Sequence, residues 1–277
     1  MLVCVSNAQE KRALVIGIGD YPSESGWNKI HGNNDVRLIH QTLLSQGFHD
    51  NNIIQLIDSE ATYENILSKM QILLDSASKN DVVYVHFSGH GQRITDLNGD
   101  ESKDRLDESW VPYDACKIYT KGVYEGERHI IDDFLNEYFT KLRIKVGYGG
   151  KIIVVADACH SGSSTRGLGN DESFKRGGPE VFIIPKEAAN IIRKENPVDW
   201  LFVAACKDFQ TNYEYRDSVG EYYGSLTYSI AQSNDKISDI KYTEAIDLWE
   251  KYMDKITIYP QNIENEGKPS KMNNNLF

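Results

Sequence analysis

Two apolar runs in this chain stop at residues able to do nucleophilic chemistry. Val82 to Phe87 is followed by Ser88, Gly89, His90 and Gly91, and Lys151 to Ala156 runs into Asp157, Cys159 and His160. A thiol with a pKa of about 8.5 is only a few per cent thiolate at neutral pH, so a nucleophilic cysteine needs a base or a positive field beside it. His90 can supply that base. Its flanking glycines let a ligand's backbone come close, and the N–H groups of Gly91 and Cys159 form a candidate oxyanion hole for a tetrahedral intermediate. These residue types imply acyl transfer, in its simplest form peptide hydrolysis.

Taken singly, a cysteine is usually a small core hydrophobe and a histidine a satisfied polar residue. It is the pair, each at the end of a buried strand and close to glycine, that favours catalysis. His160 projects elsewhere on an extended backbone and reads as a structural hydrogen-bonder. His86, inside its run, reads as core. Cys4, Cys116 and Cys206 have no adjoining His-Gly element and read as structural.

For Cys159 and His90 to meet, their strands must be neighbours in a parallel sheet, whose carboxyl ends lie side by side. Arg12 to Gly19 reads as a first strand buried on both faces; its glycines do not open a helix, which excludes a dinucleotide fingerprint. Asn34 or Asp35 reads as the cap of a helix that stops at Gly47. A short strand over 52–57, an amphipathic helix over 62–78, and the His90 strand follow. Asp96 to Glu108 is an acidic loop whose glycine is misplaced for an EF-hand. A helix over 131–142, the Cys159 strand, a strand over 200–205, and helices over 223–232 and 242–256 complete the alternation, which argues for an α/β fold with a mainly parallel sheet covered on both faces. Between them, 163–196 is rich in glycine and carries Arg166, Lys175 and Arg176, marking a mobile and cleavable loop.

The 277 residues, 40% hydrophobic and 26% charged, suffice for one large core, so residues 10–277 are read as a single domain. A formal net charge of −11 repels phosphate backbones and anionic lipid, which argues against nucleic-acid and membrane partners and favours basic peptides or divalent cations. The four cysteines have no C-x-x-C spacing, so neither a zinc knuckle nor a disulfide framework is indicated. No apolar run reaches the ~20 residues that span a bilayer. Residues 1–9 resemble the tail of a secretory signal, which predicts export to a periplasm or the extracellular space; the alternative is a disordered or strand-forming N-terminus of a cytoplasmic protein.

The segments at Ser88–Gly91 and Asp157–Gly162, the acidic run from Asn98 to Glu101 leading to Asp107, Glu108, Pro112 and Asp114, and the stretch Lys207–Glu214 resemble a metacaspase-type protease of the caspase clan. The resemblance runs from about Arg12 to Gln261. It implies the caspase-like three-layer sandwich, a Cys159–His90 dyad, no required cofactor, a monomer, and cleavage of peptide or protein substrates after arginine or lysine. Asp157, two residues before Cys159, shares its face of the strand end, where a carboxylate would attract a guanidinium. The resemblance adds Asp35 as a second pocket carboxylate, with Ser88 nearby. It also implies calcium as an activator, with Asp132 and Asp133 matching the acidic cluster, although Arg166 stands where relatives often carry an acid. Two other readings of the dyad remain: a non-catalytic caspase-fold module that binds peptide or protein, and another acyl-transfer enzyme such as an amidase or peptide ligase.

Overall fold

The structure, a computed structural model, describes residues 9–99, 101, 104–159, 175–177, 180–185, 198–207, 210–237, 240–267 and 274–277. Its centre is a six-stranded sheet. The strands are β1 (Lys11–Gly17), β2 (Ile53–Ile57), β3 (Val82–Ser88), β7 (Lys151–Asp157), β8 (Leu201–Ala204) and β11 (Glu264–Glu266), in the spatial order β2, β1, β3, β7, β8, β11. All neighbours are parallel except the antiparallel edge strand β11.

The continuous apolar runs of β1, β3 and β7 follow from burial on both faces. Alternate residues feed two separate cores. Leu14, Ile16, Val83, Val85, Ile152 and Val154 pack beneath helices α2 (Tyr63–Ser76) and α3 (Asp132–Val146). Ala13, Val15, Val82, Tyr84, Ile153 and Val155 pack beneath α1 (Gly32–Ser45), α4 (Ser225–Gln232) and α5 (Tyr242–Ile256). This is the expected three-layer sandwich.

A small antiparallel sheet of β4 (Gly91–Thr95), β5 (Leu106–Trp110) and β6 (Ile130–Ile131) rises from the end of β3, and a two-stranded sheet of β9 (Glu214–Arg216) and β10 (Tyr222–Gly224) precedes α4. These are the main departures from the sequence-based expectation. The acidic loop ends in a strand, and the helix expected from Tyr223 begins only at Ser225 because Tyr222–Gly224 pairs with β9. Helix α1 starts at Gly32 with His31 as its N-cap, so neither Asn34 nor Asp35 is the cap.

Close approach explains that early start. A Cβ on Gly32 would lie 2.5 Å from the Ser88 carbonyl oxygen and 2.6 Å from that of Ile18, so only glycine lets the helix begin against the strand ends. Asp35, in the first turn, is thereby turned into the protein and is fully buried. The register sets Gly17 opposite Ser88 and Ser88 opposite Asp157, so the carboxyl edge of the sheet presents these residues in one row. No described helix is long and apolar enough to cross a membrane.

Candidate active site

Cys159 lies two residues past the end of β7 and is 2% exposed. Its Sγ donates to the Gln210 carbonyl oxygen at 3.4 Å. Its backbone N–H donates at 2.7 Å to the carbonyl oxygen of Arg176, a residue of the segment expected to be a mobile loop. Arg176 N–H donates to Asn212 O, Lys175 bridges to Tyr213, and Gly177 bridges to Gly91. Residues 175–177 are thus threaded through the site as an extended peptide. Gly177 has φ +151°, and a Cβ there would collide with the Cys159 carbonyl oxygen, so the chain passes directly over the thiol residue.

His90 sits between β3 and β4. Its ring stacks on Trp27 with centroids 4.7 Å apart and lies 5.0 Å from the Tyr21 ring. The Tyr21 hydroxyl accepts from the His90 N–H at 3.0 Å and donates to Val111 O at 2.9 Å. His90 Nε2 is 2.8 Å from the Asn28 carbonyl oxygen. A carbonyl can only accept, so Nε2 carries the proton and Nδ1 presents its lone pair. Nδ1 is buried and has no hydrogen-bond partner among the described residues. Burial lowers the His90 pKa to about 4, which keeps the ring neutral at physiological pH.

The Arg176 side chain fills the pocket beside Cys159 and is 0% exposed. Nη1 is 2.7 Å from Asp35 Oδ2, donates also to Ser88 Oγ, and lies 3.6 Å from Asp157 Oδ1. Nε and Nη2 both donate to Glu214 Oε1, at 3.2 and 2.9 Å. Burial pushes the Asp35 carboxyl up to about 6, although Arg176 and Ser88 favour its ionised form. For Asp157, burial is outweighed by Arg176 and by hydrogen bonds from Asn212 and Thr227, which hold it below the usual carboxylate range. Glu214 is likewise held down against burial by Arg176 and His31. The guanidinium's own pKa is raised by these three carboxylates against the opposing effect of burial.

The sequence over residues 11–166, more than half of the chain, matches the family described as metacaspase, peptidase C14 domain. The chain belongs to the metacaspase family. It is 36% identical over 239 residues to metacaspase-1 of Plasmodium falciparum, covering 82% of this chain and 35% of that protein. It is 35% identical over 159 residues to metacaspase-7 of Arabidopsis thaliana, covering 55% of this chain and 35% of that protein. The chain spans about a third of the length of these curated relatives. Among solved structures, a protein from Geobacter sulfurreducens superimposes with a TM-score of 0.67 at 19% identity, covering 97% of this chain and 98% of that one. Caspase-1 from Spodoptera frugiperda does so with a TM-score of 0.57 at 13% identity, covering 94% and 86%, which places the metacaspase chain in the caspase-like α/β fold.

In this metacaspase the structure brings together Asp35, Ser88, Asp157, His90, Gly91 and Cys159 at the carboxyl edge of the sheet. Cys159 N–H contacts the Arg176 carbonyl oxygen, while Gly91 bridges Gly177 one residue further on. His86 is core, bonded to Tyr84 and Thr227. Lys175 and Arg176 belong to the segment expected to be loose, yet both are held by the site. Arg166, His160 and residues 1–8 lie outside the described residues.

Asp132 and Asp133 open α3, where burial, with Asp133 and Glu101 nearby, pushes Asp132 up to about 7. Among the described residues no three His, Cys, Asp or Glu side chains are arranged to hold a metal ion.

Three features escaped the sequence reading. Glu214 is a third pocket carboxylate; it falls in the Lys207–Glu214 stretch, but an isolated Glu in a polar run has no periodic signature. Tyr21, Trp27 and Asn28 position His90 from an irregular segment that offered no pattern. Cys206, read as merely structural, has its thiol on the same Gln210 carbonyl oxygen as Cys159, at 3.5 Å.

Proposed function

We propose that the protein is a cysteine endopeptidase that cleaves peptide bonds after arginine or lysine through Cys159 and His90. One observation carries this reading: a basic side chain fills the acidic pocket while the carbonyl oxygen of the same residue accepts from the Cys159 N–H at 2.7 Å. That is how the residue before a scissile bond would lie, with its carbonyl already on an oxyanion donor.

In the reaction that follows, His90 Nδ1 takes the Cys159 proton and Sγ attacks the carbonyl carbon. The oxyanion is held by the Cys159 N–H, with Gly91 as the second donor. His90 returns the proton to the leaving amine, and water then hydrolyses the thioester. The Asn28 carbonyl favours the imidazolium formed on the way, since both ring nitrogens then donate. Asp35, Asp157 and Glu214 select the cationic side chain. On the same grounds the first substrate is the chain itself, cut between Arg176 and Gly177.

Calcium enters only through the family. Among the described residues no group of three His, Cys, Asp or Glu side chains is placed to hold a metal ion with Asp132 and Asp133, so no step is routed through it. The monomer reading is supported by the edge strand β11, whose Glu264 and Glu266 oppose pairing with a second copy.

The test is a panel of fluorogenic peptides ending in Arg, Lys or Asp, assayed with and without calcium and with an added amine acceptor. Release after Arg and Lys is expected. Release only after Asp overturns the pocket assignment, predominant transfer to the amine favours the ligase reading, and no turnover of any peptide favours the binding module.

A further inference from the structure

We propose that Cys206 is a resolving cysteine for Cys159: peroxide oxidation of the Cys159 thiol is completed by a reversible Cys159–Cys206 disulfide. The two thiols converge on one acceptor, with Cys159 Sγ 3.4 Å and Cys206 Sγ 3.5 Å from the Gln210 carbonyl oxygen. The Gln210 side chain is itself fixed, donating to Asn262 Oδ1 at 2.8 Å and accepting from Asn262 N–H at 2.9 Å. Donation to one carbonyl oxygen sets the two sulfurs near each other.

Strands β7 and β8 are parallel neighbours with Ala156 opposite Ala204, and the Ala205 N–H donates to Ala156 O at 3.0 Å. Cys159 and Cys206 stand just past the last paired residues of these neighbouring strands, one residue out of register, so the two segments leave the sheet side by side and a disulfide, which spans Cα separations of roughly 4.4–6.8 Å, joins adjacent chain ends.

The chemistry balances with hydrogen peroxide as oxidant. The Cys159 thiolate attacks one peroxide oxygen, the O–O bond breaks, and hydroxide leaves to be protonated to water, giving a sulfenic acid. The Cys206 sulfur attacks the sulfenic sulfur, the S–O bond breaks, and the hydroxide leaves as a second water with the Cys206 proton. Two thiols and one peroxide thus give one disulfide and two waters. The Cys206 thiol is held protonated by its hydrogen bond to Cys159, by burial, and by the charge of Cys159. Conversion of Cys159 to a neutral sulfenic acid removes that charge, so Cys206 becomes the better nucleophile when it is needed. Cys206 also lines a largely acidic surface cleft, with Glu101, Asp104, Glu108 and Asp132 beside Arg93 and Lys207, open to an uncharged oxidant or reductant and not lined by Arg176.

The test is peroxide treatment of the full chain, followed by mapping of the non-reduced digest, intact mass, and peptidase assay before and after dithiothreitol. The expected result is a Cys159–Cys206 cross-linked peptide, a loss of two hydrogens, and restoration of activity by the reductant. The Cys206→Ser chain should gain two or three oxygens on Cys159 and stay inactive after dithiothreitol. Absence of the cross-link in the wild-type digest, or equal rescue of both chains, overturns the proposal. The cross-link is read by mass and needs neither peptidase activity nor a folded Cys206→Ser variant, so failure of the peptidase reading is distinguishable from failure of this one.

Discussion

Asp35 and Glu214 hold the same guanidinium from two distant parts of the chain, Asp35 Oδ2 at 2.7 Å from Arg176 Nη1 and Glu214 Oε1 at 2.9 Å from Nη2. Asp35 comes from the first turn of α1 and Glu214 opens β9. A planar fork can satisfy both at once, whereas an ammonium is a single point charge.

Glu214→Gln should therefore reduce the preference for arginine over lysine. The expected loss in kcat/KM is about 2–5 kcal/mol for an arginine peptide and clearly less for the lysine peptide, because Asp35, Asp157 and Ser88 remain for a point charge. Equal losses for the two peptides would remove Glu214 from the specificity pocket.

Cys159→Ala should abolish turnover and leave the melting temperature close to wild type, since it removes one sulfur at a strand end. His90→Ala should lose nearly as much activity, because groups acting as a unit are non-additive. Activity within a few-fold of wild type in either variant would assign the chemistry elsewhere.

Intact-mass analysis after incubation at high enzyme concentration should show two fragments divided between Arg176 and Gly177. The Cys159→Ala and Arg176→Gln chains should stay whole at that bond. A break after Arg166 or Lys175 alone would mean that the docked segment is not the preferred substrate.

In the Cys159→Ala background, Arg176→Ala leaves three buried carboxylates without their cation, and unfolding should become easier by up to ~3–5 kcal/mol. Denaturant melts compare the two proteins. Unchanged stability would mean that the pocket fills with water as readily as with the guanidinium.

The pH profile should report Asp35. Its carboxyl titrates at about 6 with the cation in place and higher when the pocket is empty, because Arg176 lowers it. Binding of a basic side chain is then full above the empty-pocket value, weakens as pH falls and Asp35 takes a proton, and levels off below about 6. Asp157 and Glu214 are held below the usual carboxylate range while the cation is in place. Asp35→Asn should show a lower kcat/KM for arginine peptides without that acid limb. Persistence of the limb in the variant would assign it to another group.

The sheet, and the placing of Ser88, His90 and Cys159 at its carboxyl edge, were legible in the sequence because strands buried on both faces must be continuously apolar, and these runs stop at those residues. Asp157 was legible for the same reason, standing two residues from Cys159 on one face. Asp35 was found through resemblance but misread locally as a cap, since a helix start pressed against strand ends by Gly32 leaves no mark in the periodicity. Glu214, Tyr21, Trp27 and Cys206 were illegible because each acts through a contact between segments far apart in sequence. Arg176 stands out in the sequence by composition alone. Its seat in the pocket follows from three-dimensional charge complementarity.

The bridges at Lys175 and Gly177 tie both sides of the Arg176–Gly177 bond to the body of the protein, and Arg176 stands only 19 positions after Asp157. Cutting that bond would not set the arginine free. The new C-terminus would stay joined by the backbone to its own pocket, so its return is intramolecular and is set by an effective concentration instead of by diffusion. An incoming peptide would then compete with a product that never diffuses away, so hydrolysis after self-cleavage should begin with a lag, and the substrate needed for half-maximal rate should be set as much by the length of the tether as by the fit of the pocket.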